Sequence, residues 1–256
     1  MKNLIKNKGV FAAVIAAVAV IVACAVAGAL LFFGVIHINN PEALGYSVKG
    51  VDVSAYQGEI DWQTLSEQGI SFAFIKATEG SGFVDSRFSY NFSEAQKTNL
   101  RIGAYHFFSF ESSGKAQAEH FCAAVSQIPG GLQCGLPPVV DVEYYGRFNS
   151  DNISAEQIRA ELRAYVDAVK AHYGVCPIIY VTSESYADII GDAFADCYLW
   201  VRSVYGKPRY VGDTQWTFWQ YSNRHVLPGY NGEERYIDMN VFCGSAKEFS
   251  DFGTDK

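Results

Sequence analysis

The sequence predicts an α/β protein: an irregular, TIM-like (β/α) barrel of eight strands and about five helices, preceded by an N-terminal transmembrane helix. Three observations lead there. A run without charge or proline covers Val10–Ile36. Behind it, short apolar runs alternate with helix-like stretches, the pattern of strands paired in parallel through helical crossovers. The polar residues of those runs then fall near their C-terminal ends, where barrel folds collect functional side chains.

The first nine residues carry three lysines and no acid, and the 27 that follow are uncharged. At about 1.5 Å per residue such a helix is ~40 Å long, enough to cross a hydrocarbon core of roughly 30 Å with some tilt. Lys2, Lys6 and Lys8 favour a cytoplasmic flank over residues 1–9, which places the remainder outside. Two other fates fit the segment 10–36. It resembles a secretory signal, although the apolar part of a signal usually spans only about 7–15 residues. Ile21-Val22-Ala23-Cys24 is also similar to a bacterial lipobox, with Cys24 as the lipidated residue, but mostly apolar sequence continues beyond it. All three fates put the body outside the cytoplasm. Residues 37–48, with Asn39-Asn40-Pro41, read as a linker. Residues 49–243 form the barrel domain and 244–256 a C-terminal tail.

Within the barrel, strands are expected at Lys49–Val53, Phe72–Lys76, Ile102–Phe107, Pro138–Val142, Ile178–Val181, Tyr198–Val201, Thr217–Tyr221 and Tyr236–Phe242. Helices are expected at Asp61–Gln68, Arg87–Thr98, Lys115–Ser126 and Ser185–Ala195. A longer one starts at the N-cap Ser154, with Gln157 three residues on, and ends near Tyr173-Gly174. Eight strands against about five helices make the barrel irregular. About 205 residues suit one domain of this class.

Without the three N-terminal lysines, 17 basic residues face 27 acidic ones. Nucleic acid is excluded as a partner, because a phosphate-binding surface needs a basic stripe. A glycan would have to be held by stacking and short-range hydrogen bonds, and an aromatic content of 15% supplies rings for both core and cleft. Outside the apolar segment lie Cys122, Cys134, Cys176, Cys197 and Cys243. Cys122–Cys134 and Cys176–Cys197 are the pairs nearest in sequence, and the odd count leaves at least one thiol unpaired. No CxxC pair or histidine cluster has metal-ligand spacing, so neither metal nor cofactor is expected.

Asp141-Val142-Glu143 is the sharpest chemical feature. Residues i and i+2 of a strand project to one face, so both carboxyls should enter one cleft. Carboxyls held close cannot both ionise easily; one pKa rises while the other stays low. A protonated donor beside a fixed anion is what protonating a glycosidic oxygen near neutral pH requires. Asp52 and Asp238 sit inside apolar strands, where an unpartnered acid is costly. They suit a polar floor that orients a sugar or a water, or hydrogen bonding across the barrel. His106 has no nucleophile motif beside it and reads as a packed barrel histidine.

At this point the residues resemble a known family. Gly50-Val-Asp-Val-Ser-Ala-Tyr-Gln-Gly-Glu-Ile-Asp-Trp62 is similar to the opening signature of glycoside hydrolase family 25, whose members are lysozymes. Phe72-Ala-Phe-Ile-Lys-Ala-Thr-Glu-Gly80, Gly103-Ala-Tyr-His-Phe107, Pro138-Val-Val-Asp-Val-Glu143, Ile179-Tyr180, Leu199-Trp200, Trp219-Gln-Tyr221 and Asp238-Met-Asn240 follow in the family's order. The resemblance implies an eight-stranded barrel with few helices and an N-acetylmuramidase acting on peptidoglycan strands. It implies Glu143 as proton donor, with Asp141, Asp52 and Asp238 on the catalytic floor. Lys76, Tyr105, Tyr180, Trp200 and Gln220 would line the substrate cleft. After Trp200 the family usually has a small residue, whereas Val201-Arg202-Ser203 places a charge there.

The expected reaction cleaves the β-1,4 bond between N-acetylmuramic acid and N-acetylglucosamine, with Asp141 orienting the 2-acetamido group. Direct attack by water activated at Asp52 or Asp238 is the other route. Two rival functions fit the same frame: a non-catalytic, membrane-anchored wall-binding module, and a glycosidase acting on another N-acetylated glycan such as chitin.

Overall fold

A computed structural model describes residues 2–32, 41–132, 135–211 and 215–253. The chain divides into two compact units, an N-terminal segment up to Ile38 and a body from Asn39 onward.

In the first unit, Lys2–Phe32 forms one continuous helix, α1, of 31 residues. From Lys8 to Phe32 its mean hydropathy is 3.0, so by length and composition it can cross a membrane. Residues 33–36 of the expected span, and 37–40 of the expected linker, lie outside the described residues.

The second unit is a closed barrel. Its strands are β1 (Lys49–Val53), β2 (Phe72–Glu79), β4 (Arg101–Phe107), β5 (Val139–Val142), β6 (Ile178–Val181), β7 (Leu199–Arg202), β8 (Phe218–His225) and β9 (Ile237–Phe242). A two-residue strand, β3 (Phe83–Val84), forms a hairpin on β2. Apart from that hairpin the pairings from β1 to β8 are parallel, and β9 closes the ring between β8 and β1. β9 runs antiparallel to both neighbours. That departs from the uniform parallel order implied by strand–helix alternation. The reason is local: β8 and β9 are joined by a loop with no crossover helix, and a short connection reverses the chain.

Helices α2 (Trp62–Ser66), α3 (Phe88–Ala95), α4 (Gly114–Ser126) and α5 (Ala155–Tyr173) cover the outside. α5 has the expected ends. The Gln157 amide donates to Ser154 Oγ at 3.3 Å, and Gly174 ends the helix at φ +77°, a conformation glycine adopts without steric cost. The stretch expected as one helix at 185–195 is broken instead into α6 (Ser183–Ser185), a π turn Tyr186–Ile190 and a 3₁₀ turn Gly191–Phe194. In the expected tail, Ala246–Asp251 forms a further helix, α7. It packs Phe249 beneath the barrel, and Arg101 donates to the carbonyls of Phe249 and Phe252.

Two apolar clusters result from strand alternation. Ala73, Ile75 and Ala77 of β2 and Val140 and Val142 of β5 face the helices. Phe72, Phe74, Val139, Ile178, Trp200, Phe218 and Phe242 face inward, joined from below by Phe249. The interior is thus a stack of rings, not a pore, and it raises a floor beneath the C-terminal mouth. Gly50 and Gly103 make room for it. A Cβ on Gly50 would lie 2.4 Å from the Phe72 ring, and one on Gly103 would lie 2.6 Å from Phe74. Gly50→Ala is therefore expected to destabilise by about 1–3 kcal/mol, as overpacked cores do. At about 2–4 °C per kcal/mol for a chain of this size, thermal unfolding should show a midpoint lowered by several degrees. An unchanged midpoint would contradict the tight fit.

The buried His106 lies between β4 and the helices. Thr78 Oγ1 is 2.7 Å from Nδ1 and Gln117 Oε1 is 3.0 Å from Nε2, while Tyr165 stacks on the ring at 5.0 Å. Burial pushes its pKa down to about 3. It is a neutral structural histidine, as its sequence setting suggests.

Cys122, Cys176, Cys197 and Cys243 carry free thiols. The pair Cys122–Cys134 cannot be described, because Cys134 lies outside the described residues. Cys176 and Cys197 precede β6 and β7 and, with Asp196, place their ligand atoms within 4.8 Å of one another. The Asp196 carboxylate there already pairs with Arg163 at 3.1 Å and Lys170 at 3.8 Å.

Candidate active site

Alternation sets which side chains reach the mouth of the barrel. Inward-facing positions two residues beyond the ring stack are Lys76 after Phe74, Asp141 after Val139, Tyr180 after Ile178, Arg202 after Trp200 and Gln220 after Phe218. Asp52 on β1 lies opposite Asp238 on β9. These residues, with Tyr105, Trp200 and Glu143, line one cleft of about 750 Å³. All nine site residues expected from sequence are therefore brought together. Lys76 does so although β2 runs on to Glu79, through an irregularity between Lys76 and Thr78.

The floor is a hydrogen-bonded chain centred on Asp52. Its Oδ2 accepts from Asn240 Nδ2 at 2.7 Å and Gln220 Nε2 at 3.0 Å. Tyr180 OH donates to Gln220 Oε1 at 3.0 Å, and Trp200 Nε1 donates to Asn240 Oδ1 at 2.8 Å. Trp200 is 2% exposed and Gln220 3%, so their polar atoms are committed to holding Asp52. Asp238 is bonded to Asp52; burial and the Asp52 charge hold the Asp238 carboxyl well above the usual range. Asn240 is the central floor residue that sequence reasoning missed. The signal existed, since Asn240 stands two residues from Asp238 and faces the same way.

Above the floor, Asp141 is 8% exposed and its Oδ1 has no hydrogen-bond partner among the described residues. Burial, then the neighbouring Glu143 charge, pushes its carboxyl well above the ordinary range. Glu143 is half-buried and also raised, chiefly by burial, with Arg202 and Lys76 opposing. The sequence led to one raised and one low carboxyl. Both are raised instead, because burial desolvates both. Lys76 is bound to Glu79 at 2.7 Å and lies over the Phe107 ring at 5.0 Å. The half-buried Tyr105 has its hydroxyl proton held by burial and by the surrounding acids.

The rim adds Tyr56, Asn223, Arg224, Glu234 and Tyr236, none of which sequence reasoning singled out. Asn223 and Arg224 lie on β8 where its register with β9 shifts, Tyr56 on a 3₁₀ turn after β1, and Glu234 and Tyr236 on the loop before β9. Arg202 was noticed only as a departure; its place two residues after Trp200 was the available signal.

A barrel with carboxyls clustered at the C-terminal mouth, one of them a desolvated acceptor beside a second acid, has the parts of a glycoside hydrolase. Comparison with known proteins gives the family. Residues 51–230 match the Glycosyl hydrolases family 25. The chain belongs to that family. It is 35% identical over 215 residues to lysozyme M1 of Streptomyces globisporus, covering 78% of this chain and 69% of the relative. It is 35% identical over 212 residues to the uncharacterized protein YegX of Escherichia coli K12, covering 81% of this chain and 74% of the other. Among solved structures, a family 25 glycosyl hydrolase from Bacillus anthracis superposes with a TM-score of 0.78 at 47% identity, covering 86% of this chain and 99% of that one. The bacterial lysozyme of Streptomyces coelicolor gives 0.69 at 33% identity, with 80% and 95% covered.

Proposed function

We propose that this chain is a muramidase that hydrolyses the β-1,4 bond between N-acetylmuramic acid and N-acetylglucosamine in peptidoglycan. Glu143 is the general acid and Asp141 the residue that orients the 2-acetamido group. The observation that carries the reading is the convergence of Asp141 and Glu143, two residues apart at the end of β5, in one sugar-sized cleft with Asp52 and Asp238. An amide N–H of a bound sugar would hydrogen-bond the Asp141 carboxylate.

That contact also orders the protons. With the cleft empty, burial holds both carboxyls above their ordinary range. A hydrogen bond donated by the substrate amide favours the Asp141 anion and lowers its pKa. The proton then belongs to Glu143, beside the glycosidic oxygen. The acetamido carbonyl oxygen attacks the anomeric carbon as the bond to the leaving oxygen breaks, and Glu143 protonates that oxygen. Water next opens the cyclic intermediate and returns a proton to Glu143, so the sum is hydrolysis with retention. The alternative, a water activated by Asp52 or Asp238, is disfavoured by the floor. Asp52 already accepts hydrogen bonds from Gln220 and Asn240, and burial raises the Asp238 carboxyl above its ordinary range.

Lys76, Tyr105 and the rim rings would contact sugar, while Tyr180, Trp200 and Gln220 keep Asp52 in place. In this reading α1 holds the body at the extracytoplasmic face of the membrane, which confines cutting to wall strands near it. Its lysine-rich flank and apolar length support that role.

The test is digestion of purified peptidoglycan, with reducing-end analysis of the soluble fragments and NMR of the fresh product. The expected result is N-acetylmuramic acid at the new reducing ends, in the β configuration. N-acetylglucosamine ends would assign a different glycosidase, and an α product would refute substrate assistance.

A further inference from the structure

Arg202 is a cation set among the acids of the cleft, deeper than the exposed Arg224 of the rim. It ends β7, two residues after the inward-facing Trp200 and opposite Gln220 in the β7–β8 register. It lines the cleft with Asp52, Glu143 and Asp238 and is half-buried. Among the described residues its guanidinium has no hydrogen bond or ion pair; its own carbonyl accepts from Tyr210. Lys76, by contrast, is neutralised by Glu79 at 2.7 Å. The charge of Arg202 opposes the upward shift of the Asp52, Glu143 and Asp238 carboxyls, yet among the described residues none of them meets its guanidinium in an ion pair or hydrogen bond, and Asp52 is engaged by Gln220 and Asn240. A guanidinium is always charged and has a planar fork that matches a carboxylate in two parallel hydrogen bonds.

We propose that Arg202 is a specificity-determining residue that binds a carboxylate of the substrate, within the muramidase reading above. A β-1,4 chain of N-acetylglucosamine alone carries no such group. Peptidoglycan offers two sources: the lactyl carboxylate of a muramic acid whose peptide has been removed, and the carboxylates of the peptide itself. Either would be held in the cleft that contains the acid pair. The enzyme then reads an anion that distinguishes wall polymer from a neutral glycan, although the body as a whole is acidic.

The experiment uses the full-length protein, wild type and Arg202→Gln, with Arg202→Lys as the variant that keeps charge but not the fork. Each is given peptide-free strands and peptide-bearing strands, both native and with their carboxylates converted to methylamides. Turnover and equilibrium binding are measured on all four. Wild type is expected to prefer the free-carboxylate form of one strand type about 10-fold or more, the scale of a charged hydrogen-bonded pair. Arg202→Gln should bring that ratio to about one, with Arg202→Lys between. A preference confined to peptide-free strands identifies the lactyl group; one confined to peptide-bearing strands identifies the peptide. Equal binding and cutting of free and amidated strands by wild type would overturn the proposal. So would an unchanged ratio in Arg202→Gln accompanied only by a moved pH–rate profile, since Arg202 would then act through the acids. Failure of wild type to cut any strand would count against the muramidase reading, while the binding ratios would still decide Arg202.

Discussion

Glu143→Gln is expected to lower peptidoglycan solubilisation by ~100-fold or more, the range that general acid catalysis supplies. The amide keeps the shape and approximate volume of the side chain but has no acidic proton to give to the leaving oxygen. Glu143 is only half-buried and holds none of the floor hydrogen bonds, so the fold should survive the change. Binding of strands should persist while turnover is lost. Release of soluble fragments, followed with protein confirmed as folded by circular dichroism, checks this directly. Near-normal activity would show that another group supplies the proton.

Asp141→Asn should lose activity on a similar scale, ~100-fold, through misplacement of the acetamido group. It should also have an opposite effect on stability. The folded protein holds the Asp141 proton well above the ordinary 3.8. Between pH ~4 and that raised value, the folded state binds more protons than the unfolded one, so stability falls as pH rises. Asparagine carries no such burden. The variant should therefore melt a few degrees above wild type at pH 7, with the gap closing toward pH 4. Thermal melts across that range test the sign. A variant less stable than wild type at pH 7 would mean that Asp141 is satisfied in the folded protein. The pair of outcomes, activity lost and stability gained, separates a functional acid from a structural one.

The two-residue period carried most of the site from sequence to structure. Lys76, Asp141, Tyr180 and Gln220 could be placed on one face because each follows an inward ring or branched residue by two. The same rule reaches Asn240, two residues after Asp238, and Arg202, two residues after Trp200. Other features had no local signal. The reversal of β9 depends on a loop replacing a helix, and the burial of Trp200 depends on rings arriving from β2, β6 and β8. Six-residue α7 is too short for a helical period to stand out, though Ser245 and Glu248 form a capping box that marks its start. That both carboxyls are raised was also out of reach, because it depends on depth in the cleft, a three-dimensional fact.

The decisive measurement is a crystal structure of the Glu143→Gln protein with a bound muramic acid–glucosamine oligosaccharide. The 2-acetamido N–H of the muramic unit should lie within hydrogen-bonding distance of Asp141, with the residue-143 amide beside the glycosidic oxygen. A sugar chain lying elsewhere on the barrel, or an acetamido group turned away from Asp141, would contradict it.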